Sequence, residues 1–425
     1  MKRGLFWFRN DLRLADNYAL SEAVKECDEI VPVYILEEKW LGQDRWGFTR
    51  TEQFRLKFLL ESIQDLKSHL SEKGSDLIFD RGNSIQLIKE LAKKYECDSI
   101  FASKEYTPEE IKIEEEISKV FDLNLYHNST LFHPKDVPFS IEKTPDIFTS
   151  FRKKAEKFSK VREVIPSPIK IKSPKFQNLQ NPDFEELIFS NKIEDKRAVL
   201  QFKGGATEAW KRLDHYFWKS KCLSKYKETR NGLVGTDYSS KFSPWLANGS
   251  ISPRQIYDEV LKYEDEIEKN QSTYWMIFEL LWRDYFKFMA MKYGSKIFFK
   301  GGIQNRNILF RNNPKNFQKW ATGTTSDPFV DANMRELLNT GWMSNRGRQN
   351  VGSYLVHQLK EDWRKGAAWF ESLLIDYDPT SNYGNWMYVA GVGNDPRDRV
   401  FNMKTQAKRY DPNGDFQKLW LGSRK

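Results

Sequence analysis

Apolar positions follow two rhythms along this chain. Over the first 126 residues, short unbroken apolar runs alternate with longer stretches in which apolar residues recur every three or four positions. The runs are Leu5-Phe6-Trp7-Phe8, Ile30 to Leu36, Asp76-Leu77-Ile78-Phe79, Ser99-Ile100-Phe101-Ala102 and Leu123-Asn124-Leu125-Tyr126, and each predicts a strand. Between them the helical rhythm predicts helices from a cap at Asp16 to about Cys27, from about Thr51 to Glu72, from Ser84 to Tyr95, and from Thr107 to about Phe121. Strands alternating with helices pair in parallel through crossovers. The expected fold class is therefore α/β, a doubly wound five-stranded parallel sheet. No G-x-G-x-x-G follows the first run, so a dinucleotide fingerprint is absent.

From about Leu131 to Asp195 the rhythm is lost. Pro134, Pro138, Pro145, Pro166, Pro168, Pro174 and Pro182 break up any long helix, and Phe151 to Lys175 holds nine Lys/Arg against two acids, a local +7. This reads as an exposed connector, either a solvated linker or a segment lying close to phosphates. Beyond Ala198 the period is helical at Thr207 to Trp218, Ser252 to Lys262, Thr273 to Tyr293, Asp331 to Thr340, Arg346 to Leu359 and Trp363 to Ile375. The expected organisation is an α/β domain over residues 1–130, a linker over 131–195 and an all-α domain over 196–425.

Composition narrows the class. Aromatic residues make up 15% of the 425, enough for a large packed core and far from a disordered chain. No run approaches the ~18 apolar residues of a membrane helix. The net charge of +9 favours a polyanionic partner without identifying one. Cys27, Cys97 and Cys222 lie too far apart for a disulfide framework or a zinc site, which indicates a reducing compartment. Met1-Lys2-Arg3 runs straight into an apolar stretch with no leader pattern, so a cytoplasmic location is expected, and a monomer with it.

Three segments carry candidate chemistry. Thr236 to Pro244 packs hydroxyls, Lys241 and backbone donors just before a helix, which suits a pyrophosphate as well as an ordinary polar loop. Trp275, Glu279, Trp282 and Arg283 share one helical face. A carboxylate and a guanidinium among large aromatics need either a ligand or each other. Asn345, Arg348 and Gln349 repeat the theme on a second helix, with Arg346 on a different face, and Asp376-Tyr377-Asp378 with Asn382, Trp386 and Tyr388 forms a third cluster. The five histidines are scattered, and no spacing suggests a metal site or a hydrolytic triad.

These residues also carry a resemblance. Trp7-Phe8-Arg9-Asn10-Asp11-Leu12-Arg13-Leu14-Ala15-Asp16-Asn17 resembles the opening signature of the photolyase/cryptochrome family. Asp331 to Glu336 and Gly341 to Asn350 resemble its flavin-domain signatures, and Gly384 to Arg397 is similar to the DASH branch. The resemblance implies an all-α C-terminal FAD-binding domain. Tyr226, Ser239, Ser240, Lys241, Phe242 and Ser243 match positions that grip the FAD phosphates. Arg283, Asn345, Arg348, Asp376 and Asp378 match positions around flavin, ribose and adenine, and Asn382 matches the residue facing flavin N5.

The implied reaction is redox-neutral: light-excited reduced FAD gives an electron to a cyclobutane pyrimidine dimer, the ring splits, and the electron returns. Glu279, Trp282, Asn345 and Tyr388 match the catalytic pocket, with Glu279 on the dimer bases and Trp282 and Tyr388 as its apolar walls. Tyr388 stands where ordinary dimer photolyases carry a second Trp, which implies a preference for single-stranded DNA. Arg346 and Gln349 are DNA-binding candidates. Glu105 matches a carboxylate that contacts a 5,10-methenyltetrahydrofolate antenna. Asn345 and Gln349 replace the histidines of a (6-4) photolyase, which argues against that enzyme.

One departure stands out. Trp386 and Trp363 match the proximal and middle members of the family's reducing tryptophan chain, but the distal position, ten residues before Trp320, is Phe310. Slow photoreduction, or a detour through Trp369, is expected. Competing with repair are a blue-light photoreceptor that signals without it and a DNA-binding relic. Retained Glu279 and Trp282 favour repair, as does an expected lack of the long C-terminal tail of signalling relatives.

Overall fold

A computed structural model describes residues 1–176, 195–395 and 400–422. The linker stretch 177–194, with Pro182, and the Pro396-Arg397 end of the DASH-like motif lie outside the described residues. The N-terminal runs form β1 (Arg3–Phe8), β2 (Glu29–Glu37), β3 (Ile78–Gly82), β4 (Ser99–Ser103) and β5 (Leu123–Tyr126). All pairs are parallel, in the order β3-β2-β1-β4-β5, with Leu5 opposite Val31 on one side and Ile100 on the other. Alternate residues of these strands feed two apolar layers. Phe6, Phe8 and Tyr34 face one set of helices, and Leu5, Trp7 and Val33 face the other. Burial on both faces is what the unbroken apolar runs encode.

The first helix spans Tyr18–Glu26, and its N-cap is Asn17, not the expected Asp16. Asp16 takes a left-handed φ of 53° and is fully buried. It is tied to the helical part of the molecule instead: Arg254 Nε donates to it at 3.0 Å and the Ser252 hydroxyl also donates to it. Arg13, buried beside it, donates to the carbonyls of Asp16, Asn128 and Gly249. Gly249 has φ +74°, and a Cβ there would lie 2.1 Å from the Asn10 carbonyl, so the loop reaches the opening signature only because it is glycine. The charged residues of that signature thus hold the two halves together.

The basic segment is only partly a connector. Phe148–Phe158 is a helix that buries Phe148, Phe151 and Ala155, a spacing of three and four that the charge had masked. Asp284 accepts the backbone N–H groups of Leu131 and Phe132, both at 2.8 Å, which docks the start of the segment.

The remainder is helical around the long, mostly apolar Gln271–Tyr293 helix. Besides the expected helices it contains Pro314–Thr322, Pro379–Ala390, Met403–Tyr410 and Asp415–Leu421. Among the described residues no helix is long and apolar enough to cross a membrane.

Candidate functional site

A cavity of about 260 Å³ opens in the helical part, with Ser243, Arg283, Asn345, Arg348, Gln349, Asp376, Asp378, Asn382 and Trp386 among its lining residues. Four elements supply all but Asp376, which lies in the loop before the last of them: the start of the Ser243–Ala247 helix, the Gln271–Tyr293 helix, the Asn345–Ser353 helix capped by Ser344, and the Pro379–Ala390 helix capped by Asp378.

The charges on the wall are paired. Arg348 Nη2 donates to Asp376 Oδ2 at 2.8 Å, and the Ser243 hydroxyl donates to the same oxygen at 2.7 Å. The other oxygen, Asp376 Oδ1, is buried without a hydrogen-bond partner. Such an orphan acceptor on a cavity wall calls for a ligand donor. Asp378 receives Lys287 Nζ at 3.0 Å as well as the Thr380 hydroxyl and the Ser381 N–H. Burial alone would raise its pKa, but Lys287, Arg283 and these hydrogen bonds outweigh that and hold it well below the usual carboxylate range. Asn382 donates its side-chain N–H to the Ala367 carbonyl at 3.0 Å, which fixes the orientation of its amide. Arg283 donates to the carbonyls of Ser129 and Leu246, and not to Glu279.

Glu279, Trp282 and Tyr388 do not line this cavity, but each lies beside it. Trp282 and Tyr388 meet edge to face with centroids 5.7 Å apart, and their sequence neighbours Arg283 and Val389 are on the wall. Trp282 is backed by Phe148, stacked at 3.7 Å and 13°. Glu279 pairs with Arg230 at 2.6 Å. Burial raises the Glu279 pKa, and the Arg230 charge opposes the shift.

Of the expected phosphate-gripping residues, Ser243 alone is on the wall. Tyr226 and Phe242 are buried in the surrounding apolar core. Ser239 and Ser240 give their carbonyls to Arg212, which also pairs with Asp237 at 2.8 Å, so the whole loop folds around one buried guanidinium. Lys241 takes a left-handed φ of 58° and donates to the Thr236 carbonyl at 2.7 Å. Burial pushes its pKa down to about 6. Arg346 is turned away from the cavity that Asn345, Arg348 and Gln349 line, toward Tyr410; it donates to the Gln349 side-chain oxygen at 2.8 Å and to Asn231 at 2.9 Å.

Trp386 is packed against the Trp363–Leu373 helix, where a Cβ on Gly366 would meet its indole at 2.3 Å. Trp363 is fully buried and donates its N–H to the Lys300 carbonyl at 3.0 Å, while the Lys300 ammonium lies 5.3 Å from the Phe310 ring. Phe310 thus meets Trp363 only through Lys300, with no ring contact between them among the described residues. A second aromatic row leaves Trp386 through Trp320 at 6.2 Å, Phe317 at 5.5 Å, Phe48 at 5.6 Å and Trp369 at 5.1 Å.

A larger cavity of about 660 Å³ lies between the sheet and the helical part, with Trp40, Arg45, Trp46, Arg50, Arg55 and Tyr377 on its wall. Asn10, also on the wall, donates to Glu105 at 3.0 Å. Burial pushes the Glu105 carboxyl up to about 7, against the opposing charges of Arg9 and Lys287.

Arg212, Arg230, Lys287 and Phe148 were not singled out in the sequence. Lys287 had a signal, since it follows Arg283 by one helical turn. The other three reach the site through tertiary contacts that no local pattern marks.

A doubly wound sheet joined to a helical domain with an aromatic, ion-paired cavity defines a two-domain flavoprotein of the photolyase type. Residues 4–170 match the family model described as DNA photolyase, and residues 275–424 match the FAD binding domain of DNA photolyase. The cryptochrome DASH of Xenopus laevis is 47% identical over 425 residues, which cover 97% of this chain and 81% of that protein. Among solved structures, the cryptochrome of Synechocystis sp. superposes with a TM-score of 0.96 at 47% identity, covering 99% of this chain and 89% of the other. A bacterial class III photolyase from Agrobacterium tumefaciens follows at 0.86 and 26% identity, with 99% and 86% covered. The chain belongs to the photolyase/cryptochrome family, in its cryptochrome DASH branch, and carries that family's FAD-binding domain.

Proposed function

We propose that this protein repairs cyclobutane pyrimidine dimers in single-stranded DNA under blue light. The observation that carries the reading is the corner made by Trp282 and Tyr388 beside the Glu279–Arg230 pair, set against the cavity that holds Asp376 and Arg348. Reduced FAD, bound in that cavity, would supply the light-driven electron. The residues present fit it: Asp376 Oδ1 awaits a donor, and Arg348, Lys287 and Arg283 compensate charge around it.

Trp282, held flat by Phe148, and Tyr388 form two walls at right angles for a dimer turned out of its strand. Glu279, held by Arg230, is placed to hydrogen-bond the dimer bases. Tyr388 offers a smaller stacking surface than Trp, and stacking is worth ~1–3 kcal/mol per base. That supports substrates whose bases are already unpaired. A second chromophore, 5,10-methenyltetrahydrofolate, is proposed for the larger cavity, where Trp40 and Trp46 suit a flat ring and Arg45 and Arg55 an anionic tail.

The test compares one thymine-dimer oligonucleotide as a single strand and in duplex, with chemically reduced protein in both arms. Repair faster in the single strand is expected. Equal rates would overturn the strand preference. No repair in either arm would point instead to a photoreceptor.

A further inference from the structure

The aromatic row does not end at the pocket. Behind Trp282 it continues through Phe148 to Phe278, with centroids 5.2 Å apart, and from Phe278 to Trp275, stacked at 4.5 Å and 28°. Trp275 and Phe278 are only partly buried, so this end of the row faces solvent. Cations gather around it. Lys227 Nζ lies 5.0 Å from the Trp275 ring and Arg230 Cζ 5.5 Å, and Arg152 Cζ lies 5.6 Å from Phe278. Arg152 and Arg230 have acidic partners, Glu156 and Glu279, whereas Lys227 donates to the Gln271 side-chain oxygen and lies near Glu228 without a close ion pair among the described residues.

A partly exposed aromatic pair beside a cation with no close ion pair among the described residues suits a stacking platform. Nucleobases stack on such rings whatever their sequence, and the adjoining cations take the phosphates.

We propose that Trp275 and Phe278 carry the bases of the single strand just outside the lesion pocket, with Lys227 on its phosphate. This rests on the DNA reading above. A base arriving on Trp275 displaces the Lys227 ammonium from the ring toward the backbone. The pocket then handles the lesion and the platform the flanking strand, which is where affinity for longer strands would arise.

The experiment measures binding of a fluorescent, undamaged oligothymidylate decamer by anisotropy, alongside repair of an isolated thymine-dimer dinucleotide that carries no flanking strand. Trp275→Ala should weaken decamer binding about 5- to 150-fold, the scale of one lost stack. Trp275→Phe, which keeps an aromatic ring, should stay within about twofold. Lys227→Gln should flatten the salt dependence, lowering the slope of log K against log salt by about 0.7. Dinucleotide repair should be unchanged in Lys227→Gln, whereas Trp275 borders the Glu279 carboxyl, so an unchanged Tm and FAD content show that the Trp275 variants fold. Wild-type affinity for the decamer in Trp275→Ala, or an unchanged salt slope in Lys227→Gln, overturns the proposal while dinucleotide repair persists. If the wild type neither binds the decamer nor repairs the dinucleotide, the DNA reading itself fails and the platform with it.

Discussion

Asp376→Asn is the most informative single change in the cavity. The aspartate accepts two hydrogen bonds on Oδ2, from Arg348 at 2.8 Å and Ser243 at 2.7 Å, and leaves Oδ1 buried and unpartnered. Asparagine is isosteric and can keep one acceptor for Ser243. It loses the charge that holds Arg348, and it turns either an N–H or a neutral oxygen toward the cavity. A hydrogen bond to a charged group is worth ~1.5–3 kcal/mol, so loss of a single charged bond to bound FAD should weaken FAD affinity roughly 10- to 150-fold. Arg348 is 24% exposed, so solvent compensates part of its loss, and the lower half of that range is expected. The assay is titration of apoprotein with FAD, followed by quenching of flavin fluorescence, across a double-mutant cycle with Arg348→Met. The two singles should each weaken binding, and the double should be little worse than either, because both remove the same pair. An Asp376→Asn protein that binds FAD within a factor of two of wild type would refute the assignment of Oδ1 to the cofactor.

Three further outcomes follow from particular contacts. Photoreduction should be slow and should accelerate in Phe310→Trp, while Trp369→Phe should slow it only slightly further, because the row from Trp386 and Trp320 reaches Trp369 across Phe317 and Phe48, which bridge the gap without being oxidised themselves. An unchanged rate in Phe310→Trp would show that the distal position is not limiting, and normal photoreduction in Trp369→Phe would remove the detour. Asp16→Ala leaves Arg254, whose side chain is only 4% exposed, without its partner and should cost ~3–5 kcal/mol of stability, read as a lowered Tm that Arg254→Met partly restores. Burial raises the Glu336 carboxyl to about 8, with Lys241 and Arg348 opposing, against ~4.3 for an unfolded Glu. Its proton therefore stabilises the fold fully below the unfolded value, and that contribution is lost as pH rises toward the folded one. Glu336→Gln should accordingly gain stability relative to wild type between pH 5 and pH 9, and a flat difference in Tm would contradict the shift.

Much of the architecture was legible in the sequence because a parallel sheet buried on both faces needs unbroken apolar runs, and all five runs became strands. The Pro379–Ala390 helix was harder. Its Asn, Gly and Ser residues resemble a loop, although Asp378 at the cap and Pro379 at the first helical position are a start signal, and Gly391 with φ 69° a stop. Met403–Tyr410 is too polar for an apolar period to mark. The Phe148–Phe158 helix hid behind its own lysines.

At the site, residues on one element were readable together, such as Asn382 with Trp386. The Arg348–Asp376 pair, from distant elements, followed from the resemblance, but periodicity alone marked no such partner. The Glu279 face suggested a pairing with Arg283, yet the partner is Arg230, which lies 49 positions earlier in the chain. Periodicity reports which face a residue occupies, and tertiary packing decides what meets it there.

The most direct test of the account is light-dependent restoration of a thymine dimer in a single-stranded oligonucleotide by protein carrying chemically reduced FAD. Prior reduction bypasses the Phe310 branch, and Glu279→Ala is run beside the wild type. The account predicts restoration in blue light, none in the dark, and a marked loss in the variant. A fully reduced, FAD-loaded wild type that restores nothing in the light would contradict it.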